Sequence, residues 1–273
     1  MNTADFNRLS RFILDEFGIK LSPVKKTMLQ GRLQKRLRAL NINSYKEYID
    51  FIFSNEGKSQ ELIHMIDVVT TNKTDFFREN NHFEFLQSHI LPEFMAKTRG
   101  RDTYRVWSAG CSSGEEPYTM AIVLQEFARE NPGFHYSIFA TDISTQVLSK
   151  AASAIYPMER VNVVPMALKK KYFLKSKDKE KPSVRVVSEL RNKVTFQRLN
   201  FMDNYYKIEL KFDAIFCRNV LIYFDKTTQE KVISKQLLNL KKESHYFLGH
   251  SESIMNMQLP LKQIRPTVFK KIK

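Results

Sequence analysis

Acidic residues, cysteines and long apolar runs are all scarce in this sequence. Asp and Glu together number 29 against 44 Lys and Arg, a formal net charge of +15 over 273 residues. Such a surplus calls for an acidic partner, namely nucleic acid, an anionic membrane or an acidic protein surface, and charge alone does not choose among them. Two cysteines, Cys111 and Cys217, make no disulfide framework, so the expected compartment is a reducing cytoplasm. Nothing approaches the roughly 18 consecutive apolar residues of a membrane span, so no membrane insertion is expected. The first twelve residues include polar and acidic ones where a signal peptide needs an apolar stretch. Wholesale disorder is excluded too, because 42% hydrophobic and 12% aromatic residues can fill a full-sized core. The length admits one large domain, or one medium and one small.

Up to about residue 80 the chain has almost no Gly or Pro and reads as helical. Ser22-Pro23 is a helix start, and Leu29, Leu33, Leu37 and Leu40 form one apolar face. Further helices are predicted over Thr3–Phe17, Ser44–Phe53 and Ser59–Val69. From about residue 104 the pattern changes to short β-branched and aromatic runs: Tyr104–Ala109, Tyr136–Thr141, Val194–Leu199, Phe212–Cys217, His245–Gly249 and Thr267–Ile272. Helix-like segments Pro117–Glu130, Ser144–Ser153 and Thr227–Leu240 lie between them. Strands alternating with helices imply α/β architecture, a mostly parallel, doubly wound sheet whose ligand sits beyond the carboxyl ends of the strands. Residues 166–198 break the rhythm with a Lys-rich turn and a β-like Val184–Val187, which predicts an inserted antiparallel hairpin.

The loop Ser108–Tyr118, with Gly110 and Gly114, joins the first strand to a helix. Glu115 and Glu116 at that helix's mouth repel a phosphate, so the expected ligand presents a cation such as an ammonium or sulfonium. The same acids would also serve simply to complement the helix dipole. Asp142 ends the second strand, where an acid accepts hydrogen bonds from two ribose hydroxyls or caps the next helix, a task Ser144 can also take. The loop and the acid together suggest a nucleoside without a pyrophosphate, and S-adenosylmethionine matches. Asn200 follows the third strand and Arg218-Asn219 the fourth, polar groups that are costly in apolar surroundings unless something there needs hydrogen bonds. Tyr223 lies just past that rim, as a site residue or a core aromatic. The polar cluster Thr70–Glu79 is either a lid over the ligand or a solvated linker. Six histidines form no metal spacing with either cysteine, so no metal is expected; His250 reads as a local hydrogen-bonding residue and Cys111 as a packed one.

Five stretches resemble the CheR-type chemotaxis methyltransferases: Thr71-Asn-Lys-Thr-Asp-Phe-Phe-Arg78, Trp107–Tyr118, Ala140-Thr-Asp142, Phe212–Asp225 and Gly249-His-Ser-Glu252. The resemblance implies transfer of a methyl group from S-adenosylmethionine to glutamates of chemoreceptors, with S-adenosylhomocysteine as product. It further implies a Rossmann-like methyltransferase domain (91–273, with a β-subdomain at about 170–198), a helical substrate-docking domain (1–70) and a linker or lid (71–90). Asn72, Thr74, Arg78, Glu116, Asp142, Asn200, Phe201, Arg218 and Asn219 would contact the cofactor. Of the two acids Glu116 is the expected partner of the methionine amino group. Arg78 and Tyr223 match the residues the family places nearest the methyl group. Phe201 stands where the family has Leu, and Cys111 where relatives often have Ala. The basic residues Lys25, Arg32 and Arg36 fall within about 40° of one another on a helix, inside an acid-free run from Gly18 to Lys46. By resemblance they would dock on the receptor's acidic methylation helices. The turn Lys175–Ser183 has no glycine, where members that capture a receptor peptide by strand addition carry glycines. A monomer reaching the membrane only through its receptor is expected, with no nucleic-acid partner.

Overall fold

Short polar side chains start most of the N-terminal helices in the computed structural model, which describes residues 1–272. Asn2 caps α1 (Thr3–Phe17) by accepting from the Asp5 N–H, and Gly18 ends it in the left-handed region, with φ 70°. Pro23–Lys25 forms a 3-10 turn leading into α2 (Lys26–Ala39). Ser44 caps α3 (Tyr45–Phe53), and Ser54 caps α4 (Asn55–Gln60), which is followed by α5 (Leu62–Val69). These five helices enclose a core of their own, in which Leu29, Leu33 and Leu37 meet Phe6, Leu9, Ile13, Tyr48, Ile49 and Ile66. One charge is buried with them. Glu61, 1% exposed, receives a two-point contact from Arg36 (2.7 and 2.6 Å) and the Tyr48 hydroxyl (2.9 Å).

Residues 71–75 have no regular structure and lead to α6 (Asn81–Phe85), a π-helical turn and α7 (Leu91–Thr98). The large sheet follows as β1 (Thr103–Ala109), α8 (Glu115–Glu130), β2 (His135–Asp142) and α9 (Thr145–Ser153). An insert then intervenes: β3 (Ile155–Pro157), α10 (Met166–Tyr172), β4 (Phe173–Lys175), β5 (Ser183–Val186) and α11 (Ser188–Arg191). The chain returns to the sheet with β6 (Val194–Arg198), β7 (Phe212–Cys217), α12 (Lys226–Leu237), β8 (Leu240–Leu248), β9 (Leu261–Arg265) and β10 (Val268–Lys271). The order is β6-β2-β1-β7-β8-β10-β9, parallel from β6 to β8, with β10 and β9 antiparallel. The chain moves outward from β1 to β2 and β6, then crosses back to β7, so strand order reverses at β1. A ligand crevice is expected above that switch point.

The doubly wound α/β fold and its small antiparallel insert are present as predicted. The insert is a three-stranded sheet, β3-β5-β4, not a two-stranded hairpin. β3 is only three residues long and ends in proline at a sheet edge, leaving no alternation to read. β9 was also unforeseen. The helix predicted to reach Leu240 ends at Leu237, and Leu240 opens β8.

Candidate active site

The carboxyl ends of β1, β2, β6 and β7 converge beneath a cavity of about 340 Å³. The loop after β1 and the loop after β7 touch at Gly110, where φ is 88° and a Cβ would lie 2.3 Å from Val220 Cγ2. No other residue allows that approach. At the end of β2, Asp142 accepts from the Ser112 N–H (2.8 Å) and the Ser144 N–H (3.0 Å), tying the glycine loop to this strand. Ser144 caps α9 through its hydroxyl, so Asp142 is not needed as the cap. Burial pushes the Asp142 pKa up, against the pull of those backbone donors.

The two adjacent glutamates diverge. Glu116 lines the cavity, accepting from Ser108 Oγ (2.7 Å) and from Arg218 Nη1 (3.2 Å). Burial raises its pKa, with Arg218 and Ser108 acting in opposition. Glu115, 1% exposed, is held by Arg160 (2.6 Å) and Ser113 Oγ (2.7 Å) and does not line the cavity.

The Thr70–Glu79 stretch crosses one side of the cavity, to which it contributes Asn72, Thr74 and Arg78. The Asn72 carbonyl accepts from Ser112 Oγ (3.0 Å), and the Phe77 N–H donates to Thr119 Oγ1 (3.1 Å). Arg218, almost fully buried, donates to the Arg78 carbonyl (2.5 Å) and to Glu79 (3.0 Å). Glu79 also accepts from Asn219 Nδ2 and the His250 N–H, both at 3.2 Å. Burial works against its ionisation, but Arg218 and these donors win, and its pKa is lowered.

Asn219, Val220 and Leu221 donate their backbone N–H groups to Glu252, as does Gly249 (2.9, 2.8, 2.7 and 2.7 Å). Asn219 adopts φ 59°, and Gly249 packs so closely that a Cβ would sit 2.4 Å from its amide. This loop carries Tyr223 to the cavity, its hydroxyl 3.5 Å from the Thr71 carbonyl. Burial raises the Tyr223 pKa, opposed by Arg78 and Arg32, so the phenol stays protonated at neutral pH.

Phe17 and Met28 from the N-terminal helices, with Ile19 and Leu21 from the loop after α1, close the cavity's other wall. The Lys20 N–H donates to the Tyr223 carbonyl (3.1 Å), and Asn200 Nδ2 donates to the Glu16 carbonyl (2.8 Å). Asn200 and Phe201 both line the cavity, although the Asn200 amide is engaged with α1.

All ten residues predicted to bind cofactor or act in catalysis line this one space. Lys25 lies there too. Arg32 and Arg36, predicted to share its stripe, are occupied inside the molecule. Arg36 neutralises Glu61, and Arg32 holds the Val69 and Thr70 carbonyls (2.5 and 3.1 Å) and Thr71 Oγ1 (3.1 Å). The acid-free run finds its counter-charge beyond its own helix, because a buried carboxylate requires one.

Glu79 and Glu252 were not singled out from the sequence. Both stand within quoted motifs, but only their folded partners reveal that they frame the site. Glu79, His82 and His250 each bring a ligand-type atom within 4.8 Å of the others. The Glu79 oxygens are already committed to Arg218, Asn219 and the His250 N–H. His82 donates through Nε2 to Thr267 Oγ1 (2.8 Å), whose own proton goes to the Pro266 carbonyl (2.7 Å). These hydrogen bonds tie Glu79 and His82 into the frame of the site.

The cavity thus presents the carboxylates of Asp142, buried, and Glu116, largely buried, with two guanidinium groups, suiting a ligand that carries both signs of charge. Comparison with known proteins shows the family. Residues 4–70 match the family described as "CheR methyltransferase, all-alpha domain", and residues 72–269 match "CheR methyltransferase, SAM binding domain". A chemotaxis protein methyltransferase of Borreliella burgdorferi is 42% identical over 98% of this chain and 94% of its own. Those of Escherichia coli and Salmonella typhimurium are 40% and 39% identical over 94% of this chain, and over 87% and 86% of theirs.

Proposed function

The chain belongs to the CheR methyltransferase family, and from that premise we propose how its residues carry out the reaction. It is an S-adenosylmethionine-dependent protein methyltransferase of chemotaxis. The acceptors are glutamate side chains on acidic helices of chemoreceptors, which become methyl esters. Among the described residues no helix is long and apolar enough to cross a membrane. The protein works from the cytoplasm, at the membrane only through its receptor.

The donor fits the residues present. Glu116 is a buried carboxylate suited to the amino group of the methionine moiety, and Asp142 to the ribose hydroxyls. Asn200 and Phe201 flank the adenine, while Asn72, Thr74, Arg218 and Asn219 complete the enclosure. When bound, S-adenosylmethionine supplies a sulfonium methyl group that an ionised carboxylate can take in one displacement. A receptor glutamate, with an ordinary pKa of about 4.3, is ionised at neutral pH and needs no general base. At the cavity mouth Arg78 is a cation and Tyr223 a protonated phenol.

Arg78 orients the incoming carboxylate by charge-assisted hydrogen bonds, and Tyr223 donates from the other side. Neither holds it tightly enough to quench it. Catalysis rests on alignment and on water exclusion by the lid and α1, effects that supply up to ~7–11 kcal/mol. Lys25 and the exposed Lys73, which both line the cavity, draw the acidic helix in.

The observation that carries this reading is the convergence of Glu116 and Asp142 inside a cavity whose mouth bears Arg78 and Tyr223. Labelled S-adenosylmethionine incubated with receptor-containing membranes tests it. Base-labile label in the receptor is expected. Label entering RNA would make the protein a nucleic-acid methyltransferase, and binding without transfer would make it a scaffold.

A further inference from the structure

Arg160 stands outside the cavity yet ties the lid stretch that lines it to the start of α8. It belongs to the 3-10 turn Met158–Val161 directly after β3. Its Nη2 donates to the Thr74 carbonyl (2.5 Å) and to Glu115 Oε1 (2.6 Å), and its Nη1 to Asp75 Oδ1 (3.0 Å). Thr74 and Asp75 line the cavity from the lid, and Glu115 is the first residue of α8, next to Glu116.

We propose that Arg160 is a positioning residue for methyl transfer: it pins the lid stretch 72–75 to the start of α8, so that Thr74 and Glu116 are held at a fixed separation around the cofactor. This rests on the cavity being the S-adenosylmethionine site.

Residues 71–75 lack regular structure, so tethers and not a backbone ladder set their position. Arg32 supplies one tether, at Val69, Thr70 and Thr71, and Arg160 supplies another at Thr74 and Asp75. The planar fork of an arginine reaches all three acceptors at once, whereas a lysine ammonium is a single point. Glu115, buried and with its second oxygen taken by Ser113, holds the guanidinium in place from the α8 side.

The small sheet from which Arg160 projects is itself built against the site. Tyr156 of β3 donates its hydroxyl to the Ser113 carbonyl (2.8 Å) in the glycine loop. Tyr156 and Phe173 of β4 both pack edge-on against Phe76 of the lid (5.0 and 5.5 Å between ring centroids). The insert therefore braces both the lid and the loop after β1, and Arg160 adds polar contacts to the lid and to the start of α8.

Arg160→Lys keeps a counter-charge for Glu115 while losing the fork, so the fold survives to be measured. Calorimetry should show S-adenosylmethionine binding about tenfold weaker, the loss expected of one charge-assisted hydrogen bond. KM for the cofactor should rise in parallel, with KM for receptor and the melting temperature of the free protein unchanged. In Arg160→Ala, methylguanidinium should restore cofactor binding and methylammonium should not, because the side chain is 34% exposed and its place is reachable from solvent. Wild-type affinity in Arg160→Lys would overturn the proposal. So would an Arg160→Ala loss that follows unfolding and resists rescue. A wild-type protein that fails to bind S-adenosylmethionine would instead overturn the reading of the cavity itself.

Discussion

At the scale of single residues, the site separates neighbours that look alike in sequence. Glu115 and Glu116 are adjacent acids at one helix start, about 100° apart around its axis. Ser108 and Arg218 turn Glu116 inward, and Arg160 turns Glu115 away. Those partners come from β1, from the loop after β7 and from the insert, so no local pattern announces the difference. The chemical types at the four strand ends were legible, since acids and amides there have few other uses. The roles of Glu79 and Glu252 were not, because each acts only on groups brought to it by the fold. Glu116 also carries a pH prediction. In the proposed role it would bind the cofactor's cation only when ionised, and burial raises its pKa. Cofactor affinity should therefore fall as pH drops through that raised value, with the decline beginning above the ordinary glutamate pKa of about 4.3. Glu116→Gln should bind at least about tenfold more weakly, with no such pH dependence, as read by calorimetry across pH.

At the scale of elements, capping residues and long periodic runs made most segments readable. The bounds of α1 and β7 agree with those predicted from sequence, and Ser44 is the cap of α3. β3 and β9 were missed for want of length or of a buried face; four of the five β9 residues are exposed. Helix α2 shows where periodicity misleads. Arg32 and Arg36 share a face with Lys25 on a helical wheel, yet tertiary partners consume two of the three. Arg36→Ala should leave Glu61 as an uncompensated buried charge and destabilise the protein by about 3 kcal/mol. Lys25→Glu should leave stability unchanged and weaken receptor binding. Denaturant unfolding of the two variants, beside a receptor-binding titration, checks both expectations.

At the scale of the whole molecule, the net charge of +15 acquires a partner once the cavity is in place. On the proposed reading, Glu116 and Asp142 hold the donor inward of the cations at the mouth. The acceptor would then be an acidic helix whose carboxylates are themselves consumed, each methylation removing a charge that attracted the enzyme. Receptor binding should weaken with added salt and be weaker to fully methylated receptor, measurable by titration at two ionic strengths. The central claim is that this site works by alignment, upon a nucleophile already ionised. Single-turnover methyl transfer at saturating cofactor, followed from about pH 6 to 9, tests that claim most directly. The account predicts a flat profile, lowered uniformly in Arg78→Ala and Tyr223→Phe. A rate that climbs tenfold per pH unit, or full turnover in both variants, would contradict it.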